Sequence, residues 1–258
     1  MILNAAPDLF NAPRRIVSLV PSQTELLYYL GLQESTIAIT RFCVHPEDWQ
    51  RTKTIIGGTK NIRLDKIKAL NPDLIIANKE ENIKEEIDTL AKDFRVWLTD
   101  VNNLNSALQM IIDIGQLTHS STKATDLVST IQQKFNHLIK NDKKINTAYL
   151  IWQNPYMTIG GDTFIHDMLC QCGLQNIFDG EKRYPIITID QLNEHHCVLL
   201  LLSSEPYPFK KQHIEALQSQ LPDTRILLVD GEMFSWYGSR LLYATEYFKE
   251  LIETIHSA

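Results

Sequence analysis

The chain has 258 residues, a formal net charge of −6, and 44% hydrophobic and 22% charged residues. That is enough chain for one large domain or two smaller lobes, and the acidic balance excludes a general nucleic-acid binder, which needs a basic stripe. No apolar run approaches the roughly 18–20 residues that span a bilayer; the longest, CVLLLL at 197–202, reads by its length as a buried strand.

In chain order, the segment MILNAAPDLFNAPRR has neither the basic start nor the apolar stretch of a secretory signal, so taken literally it points to the cytoplasm. Strands are expected at IVSLV (16–20), STIAIT (35–40), DLIIA (73–77) and RVWLT (95–99), with helices over 22–30, 65–71 and 82–92. Ser22 and Glu25 have the S-x-x-E spacing of a capping box, which gives Glu25 a local role at the helix start. Gly57-Gly58-Thr59-Lys60 reads as a turn, too short for a phosphate loop and not placed after the first strand.

Residues 104–141 contain no proline and one glycine. Ala124, Leu127, Val128, Ile131, Phe135, Leu138 and Ile139 keep helical spacing, predicting a stiff helix from Ser121 to Lys140. Further strands are expected at TAYLIW (147–152), CVLLLLS (197–203) and RILLVD (225–230), with MTIGG (157–161) as a short strand or turn. Helices are expected over 163–171, 189–194, 208–219 and 239–255.

The chain says the same thing twice. RIVSLVPSQTELLYYLG (15–31) and AYLIWQNPYMTIGGDTFIHDMLCQCG (148–173) each read as strand, turn and helix closed by a glycine. RLDKIKALNPDLIIA (63–77) and TIDQLNEHHCVLLLLS (188–203) each read as a short helix opened by an acid and followed by a buried strand. The expected fold class is α/β: two Rossmann-like lobes with mainly parallel sheets, over 14–100 and 146–258, joined by a long rigid helical spine over 101–145. Two such lobes imply a cleft for a small ligand, and the absence of a flexible linker implies limited closure.

No nucleophile elbow, phosphate loop, zincin or dinucleotide motif is present. Cys43 with His45, the pair His195-His196, and Cys170-x-Cys172 each fall short of a metal site, which needs three or four convergent ligands. The first reads as a loop against its lobe and the last as core packing. The four cysteines, with Cys197, follow no disulfide framework.

Aromatics are placed more tellingly. Trp152, Tyr156, Tyr184, Tyr207, Phe209, Phe234, Trp236 and Tyr237 lie at or after strand ends of the second lobe, as Phe42 and Trp49 do in the first. Ligands of open α/β sheets sit outside the carboxyl ends of the strands. Flat rings there suit a large, rigid, partly apolar ligand such as a macrocyclic metal chelate. Arg41, Lys60, Lys79, Arg183 and Arg240 occupy similar turns and suit carboxylates or phosphate on such a ligand.

These segments, with RFCVHP, IGGTKN, LDKIKALNPDLIIA, GGDTFIHDMLCQCGLQNIF and SSEPYPF, resemble the cobalamin- and iron-chelate-binding proteins of ABC importers, the group with a rigid helical backbone between lobes. The resemblance spans nearly the whole chain. It implies a class III periplasmic-binding-protein-like fold, a periplasmic or cell-surface location, no catalysis, no catalytic cofactor and no resident metal. The implied ligand is a corrinoid or iron chelate, cobalamin first and ferric siderophore or haem next. The implied partner is an ABC permease, met by a monomer without nucleic acid or membrane insertion. By this resemblance the ligand-binding candidates are Arg41, Phe42, Thr59, Lys60, Asn78, Trp152, Tyr184, Glu205, Trp236, Tyr237 and Arg240. Tryptophans that line the cleft of cobalamin binders are here replaced by Thr59 or Lys60 and by Asn78, while Trp152 and Tyr184 keep aromatic character. Matching residue to residue, the acids that dock onto the permease are Asp65 and Asp190, each an Asp where a Glu is usual. Their other role would be to favour the helix dipole. Two further expectations stay open: a cytoplasmic corrinoid or chelate carrier or sensor, and a small enzyme using the cleft with Cys43, His45 or Glu205 as actors.

Overall fold

The computed structural model describes residues 1–3, 11–138 and 144–257. The chain divides into two compact units. Unit 1 comprises Met1–Val101, Asn105–Gln132 and Trp236–Leu241; unit 2 comprises Asn102–Leu104, Gln133–Ser235 and Leu242–Ala258.

Unit 1 begins with strand β1 (Ile2–Leu3), strand β2 (Ile16–Ser18) and helix α1 (Pro21–Leu30). Strand β3 (Thr36–Ile39), helix α2 (Trp49–Thr52) and strand β4 (Thr54–Ile55) follow. Next come β5 (Gly57–Gly58), β6 (Asn61–Ile62), α3 (Leu64–Leu70), β7 (Leu74–Asn78), α4 (Lys84–Ala91) and β8 (Val96–Thr99). Among the described residues the main sheet has the order β1-β8-β7-β2-β3-β4, with every pairing parallel. All five residues of β7 are buried, as the central strand of a parallel sheet covered on both faces must be. Val17, Leu19, Ile56, Ile67, Ile75, Ile87, Leu90 and Val96 form this unit's core. Gly57–Lys60, expected as a turn, supplies strand β5 and the Thr59–Lys60 turn of the antiparallel hairpin β5–β6.

The middle segment differs from the long helix expected over 121–140. It forms α5 (Leu104–Leu117) and α6 (Ser121–Asn136), which stops at Asn136; Ile139 and Lys140 lie outside the described residues. A Cβ on Gly115 of α5 would stand 2.3 Å from the Ala124 Cβ of α6, so the segment's one glycine permits the close approach of the two helices.

Unit 2 contains β9 (Ile145–Leu150), α7 (Phe164–Gln171), β10 (Leu174–Asn176), α8 (Ile189–Glu194), β11 (Leu199–Ser203), α9 (Lys211–Gln218), β12 (Arg225–Val229), α10 (Gly231–Ser235) and α11 (Leu241–His256). Its sheet, in the order β10-β9-β11-β12, is parallel throughout. Ala148, Leu150, Phe178, Leu192, Leu200, Leu202, Phe209, Leu217 and Ile226 fill its core.

The internal repeat is a repeat of topology. Unit 1 runs β3-β2-β7-β8 and unit 2 runs β10-β9-β11-β12. In both, the first strand lies between the second and the third, so strand order reverses beside it, at β2/β7 and at β9/β11. A reversal of this kind opens a crevice at the carboxyl ends of the flanking strands.

Candidate functional site

In unit 1 the crevice position is filled by polar side chains. Asn78 is 1% exposed; its Oδ1 accepts from the amides of Glu80 (2.8 Å) and Glu81 (3.2 Å), and its Nδ2 donates to Thr99 Oγ1 (3.1 Å). Asn82 Nδ2 donates to the carbonyls of Leu19 (3.3 Å) and Thr59 (3.1 Å), pinning the tip of the β5–β6 hairpin beside the end of β2. Lys60 Nζ donates to the Glu80 carbonyl at 2.5 Å. Asn78, a candidate ligand contact from the sequence, is thus withdrawn from the surface and spends its carboxamide on the loop; half-buried Thr59 and exposed Lys60 remain at the tip.

The next joint, after β3, supplies this unit's exposed ring. Phe42 is 53% exposed, with the Arg41 guanidinium 5.7 Å from its ring centroid. The Arg41 amide donates to the Gly57 carbonyl (2.8 Å). A Cβ on Gly58 would meet the Phe42 ring at 3.0 Å and Arg41 Nε at 3.5 Å, so the hairpin glycine is the floor on which both side chains lie. Cys43, next in line, is wholly buried; its sulfur accepts a hydrogen bond from Thr24 (3.1 Å) and shares one with the Thr40 hydroxyl (3.2 Å). Burial pushes its thiol up to about 11, which keeps it protonated and unreactive at neutral pH.

Segment 236–241 also belongs to unit 1. Arg240 Nη2 and Nε donate to the two carboxylate oxygens of Glu25 at 2.7 and 3.1 Å, a bidentate pair whose side chains are 12% and 16% exposed. This corrects two expectations. Glu25 is not half of a capping box, because the helix starts at Pro21, one residue earlier: Val20 is the N-cap, no side chain caps it, and the Ser22 hydroxyl is buried without a partner. Arg240, a candidate for ligand carboxylates, already holds a carboxylate of its own chain. Trp236 and Tyr237, expected to line a ligand, are 6% and 5% exposed. The Trp236 ring lies between His45 (centroids 5.4 Å apart) and the Arg240 guanidinium (5.3 Å), and the Tyr237 hydroxyl donates to Glu81 at 3.2 Å. Burial and that carboxylate hold the Tyr237 hydroxyl protonated well above its ordinary range. Lys79 pairs with Asp100 at 2.8 Å.

In unit 2 the long joint after β9 and the loop after β10 meet in a small ladder. Met157 bridges Trp152 on one side and Ile186 on the other, both antiparallel, so the three side chains emerge on one face. Trp152 is 40% exposed and Ile186 is 65% exposed; Tyr184, two residues before Ile186, is half-buried. The Tyr207 ring, at the end of β11, meets Trp152 edge-on at 5.7 Å, and its hydroxyl donates to Gln153 at 2.8 Å. An apolar, aromatic patch therefore stands where topology puts a ligand. Sequence reasoning missed Ile186 and Met157, because neither is aromatic and their pairing depends on long-range register. Phe209 and Phe234, 5% and 0% exposed, are core residues rather than part of this surface, as is Trp49 (2%) in unit 1. Glu205 accepts from the Ser235 hydroxyl at 2.6 Å.

Cys172 is buried as core packing requires, but Cys170 is exposed, because residues two apart on a helix cannot share a face. Among the described residues no group of three or more His, Cys, Asp or Glu is placed to hold a metal ion, and no helix is long and apolar enough to cross a membrane. Asp65 and Asp190 are exposed in the first turns of α3 and α8. The start of α8 is closed by a capping box between Thr188 and Gln191 (3.3 and 2.9 Å), so Asp190 is not its cap.

Two doubly wound units of one strand order, each with an exposed ring at its carboxyl edge, define the class: an α/β binding protein. The chain belongs to the periplasmic binding protein family, whose profile matches residues 16–222. It is 24% identical over 241 residues to the vitamin B12-binding protein of Pectobacterium carotovorum subsp. carotovorum strain PC1, covering 91% of this chain and 86% of that one. It is 29% identical over 169 residues to the uncharacterized ABC transporter substrate-binding lipoprotein YvrC of Bacillus subtilis strain 168, covering 61% and 53%. Among solved structures, the periplasmic vitamin B12 binding protein BtuF of Vibrio cholerae superposes with a TM-score of 0.79 at 21% identity, covering 95% of this chain and 99% of that one. A possible iron-binding periplasmic solute-binding protein of Staphylococcus epidermidis gives 0.78 at 25% identity, covering 95% and 100%.

Proposed function

We propose that this protein is the substrate-binding component of an ABC importer and that its cargo is a metal chelate, a corrinoid or an iron chelate such as haem or a ferric siderophore. The observation that carries the reading is the Trp152–Met157–Ile186 face with Tyr184 and Tyr207. It exposes apolar and aromatic surface at the strand-order reversal of unit 2, where a flat ligand buries it. Phe42 offers the same chemistry on unit 1. The names of the relatives agree: one binds vitamin B12, and another is a substrate-binding lipoprotein of an ABC transporter. By the same kinship the protein works outside the cytoplasmic membrane and delivers its cargo to a permease, with Asp65 and Asp190 as the docking acids. Neither has an ion-pair partner among the described residues.

Tryptophan fluorescence tests the assignment. Trp152 is the one exposed tryptophan among Trp49, Trp97, Trp152 and Trp236, so a coloured chelate stacked on it quenches emission. Titration against cyanocobalamin, cobinamide, haem and ferric siderophores is expected to give saturable quenching by at least one. The Trp152→Ala, Tyr184→Ala double variant should bind that ligand about tenfold more weakly or worse. Silence across the whole panel would remove the reading, and unchanged affinity in the double variant would move the site elsewhere.

A further inference from the structure

Tyr207 is bonded to the residues on both sides of Trp152. Its amide donates to the Ile151 carbonyl at 3.3 Å and its hydroxyl to Gln153 Oε1 at 2.8 Å, while its ring meets the Trp152 ring edge-on at 5.7 Å. Gln153 carries the contact onward, its Nε2 donating to the Tyr156 hydroxyl at 3.4 Å, and the pairing of Trp152 with Met157 closes the tip of the joint. The exposed indole of unit 2 is thus fixed by one side chain that enters from the end of β11.

Tyr207 is itself set by His213, in the first turn of α9. The Lys210 amide points at His213 Nδ1 from 2.7 Å. An amide N–H only donates, so Nδ1 is the acceptor and the proton of a neutral ring sits on Nε2. The Lys210 carbonyl lies 3.2 Å from the same nitrogen, but a proton on Nδ1 would face the nearer amide hydrogen. Nε2 is 3.2 Å from the Tyr207 hydroxyl and donates to its oxygen, leaving the hydroxyl hydrogen for Gln153. The donors therefore run one way, from the Lys210 amide through His213, Tyr207 and Gln153 to Tyr156, and in such a chain each bond polarises the next. Phe209, 5% exposed, fixes both ring planes: its centroid is 4.8 Å from Tyr207 and 5.5 Å from His213, each contact edge-on.

We infer that His213 is a positioning residue for the ligand surface of unit 2: its Nε2–H orients the Tyr207 hydroxyl and so fixes the pose of Trp152. This rests on the chelate-receptor reading above and deepens it, because it names what holds the Trp152 ring ready before any ligand arrives. A ring already ordered loses less side-chain freedom on binding than one the ligand must order. The two jobs of His213 are separable, since Nδ1 caps α9 and Nε2 holds Tyr207. His213→Glu keeps an acceptor for the N-cap amide but has no hydrogen for Tyr207, whose hydroxyl then turns to the new carboxylate and leaves Gln153. His213→Gln keeps both an acceptor and a donor on one planar group.

The test follows the full chain first without ligand and then with haem and with cyanocobalamin. Acrylamide, an uncharged quencher, reads the emission of Trp152 against the buried Trp49, Trp97 and Trp236. His213→Glu and Tyr207→Phe are expected to steepen acrylamide quenching about twofold and to bind whichever of the two ligands the parent binds about tenfold more weakly. His213→Gln should match the parent in both, and His213→Glu should keep the parent's urea midpoint because the cap of α9 survives. Parent-like quenching and affinity in His213→Glu, or a His213→Gln protein as impaired as His213→Glu, would overturn the inference while leaving a chelate receptor in place. If His213→Glu fails to fold, Tyr207→Phe, which leaves the cap untouched, decides by the same two readouts, and parent-like values there overturn the inference. Binding of neither ligand by the parent would count against the receptor reading alone, and quenching of the ligand-free variants would still decide the role of His213.

Discussion

The two units share a strand order but build their first strand-to-helix joints differently. In unit 1 the joint between β2 and α1 is residues 19–20, and in unit 2 the joint between β9 and α7 is residues 151–163. The short joint leaves no chain to spare, and Asn78 and Asn82 fill the adjoining crevice with hydrogen bonds to backbone. The exposed side chains of that unit's carboxyl edge, Arg41 and Phe42, come from the following joint. The long joint of unit 2 folds back on itself at Trp152–Met157 and pairs through Met157 with Ile186 of the 177–188 loop. Strand order fixes where a ligand surface can stand; loop length decides which joint provides it.

The comparison is broken most severely at the Glu25–Arg240 pair. Unit 1 gains residues 236–241 through this contact across 215 positions of sequence, whereas unit 2 shows no such borrowed segment fastened by a buried ion pair among its described residues. Removing one partner of a largely buried bidentate pair leaves an uncompensated charge. Glu25→Ala should therefore cost about 3 kcal/mol in unfolding free energy, measured by urea denaturation. A Glu25→Ala protein with the parent's midpoint would mean that the pair does not fasten the segment.

Buried thiols are alike in the two units, and what differs is the exposed Cys170 of unit 2. Cys43 in unit 1 and Cys197 in unit 2 are both raised from 9.0 to about 11, chiefly by burial. In the unfolded chain these thiols ionise near their ordinary value, so above it the unfolded state sheds protons that the folded state keeps. Stability is full below 9.0 and declines as pH rises toward about 11. Alkylation at neutral pH should modify exposed Cys170 first and leave Cys43, Cys172 and Cys197 protected until unfolding. Rapid labelling of Cys43 in the folded protein would contradict the burial on which both statements depend.

What the sequence made legible follows the range of the interactions involved. The apolar runs at 73–77 and 197–203 contain the buried central strands Leu74–Asn78 and Leu199–Ser203, because continuous burial is a local signature, although Val198 at the start of the second run is exposed. The repeat of strand and helix matched the shared strand order for the same reason. The two-residue strand β1, which extends the sheet beside Val96 and Trp97, has no periodicity to read. The spacing of Glu25 points to the nearest partner, Ser22, because nothing local announces Arg240. Sequence places aromatics at strand ends along the chain, but whether a ring faces outward, as Trp152 does, or inward, as Phe234 does, depends on what packs against it.

The smallest effect tests the two joints most directly. α7 opens with Thr163, whose hydroxyl accepts from the His166 amide at 3.2 Å and donates to the Gly160 carbonyl at 2.9 Å. α1 opens with Val20 and Pro21 and has no side-chain cap. Thr163→Ala should cost about 1 kcal/mol, the usual worth of an N-cap. Ser22→Ala should cost nothing or raise stability slightly, since it deletes a buried hydroxyl that has no hydrogen-bond partner. If Ser22 were instead the cap that its S-x-x-E spacing suggests, both substitutions would lower the denaturation midpoint alike. A loss at Thr163 with none at Ser22 shows that the proline-led joint needs no cap because Pro21 already removes one of the amide donors a cap would satisfy and fixes the backbone angle of the first turn.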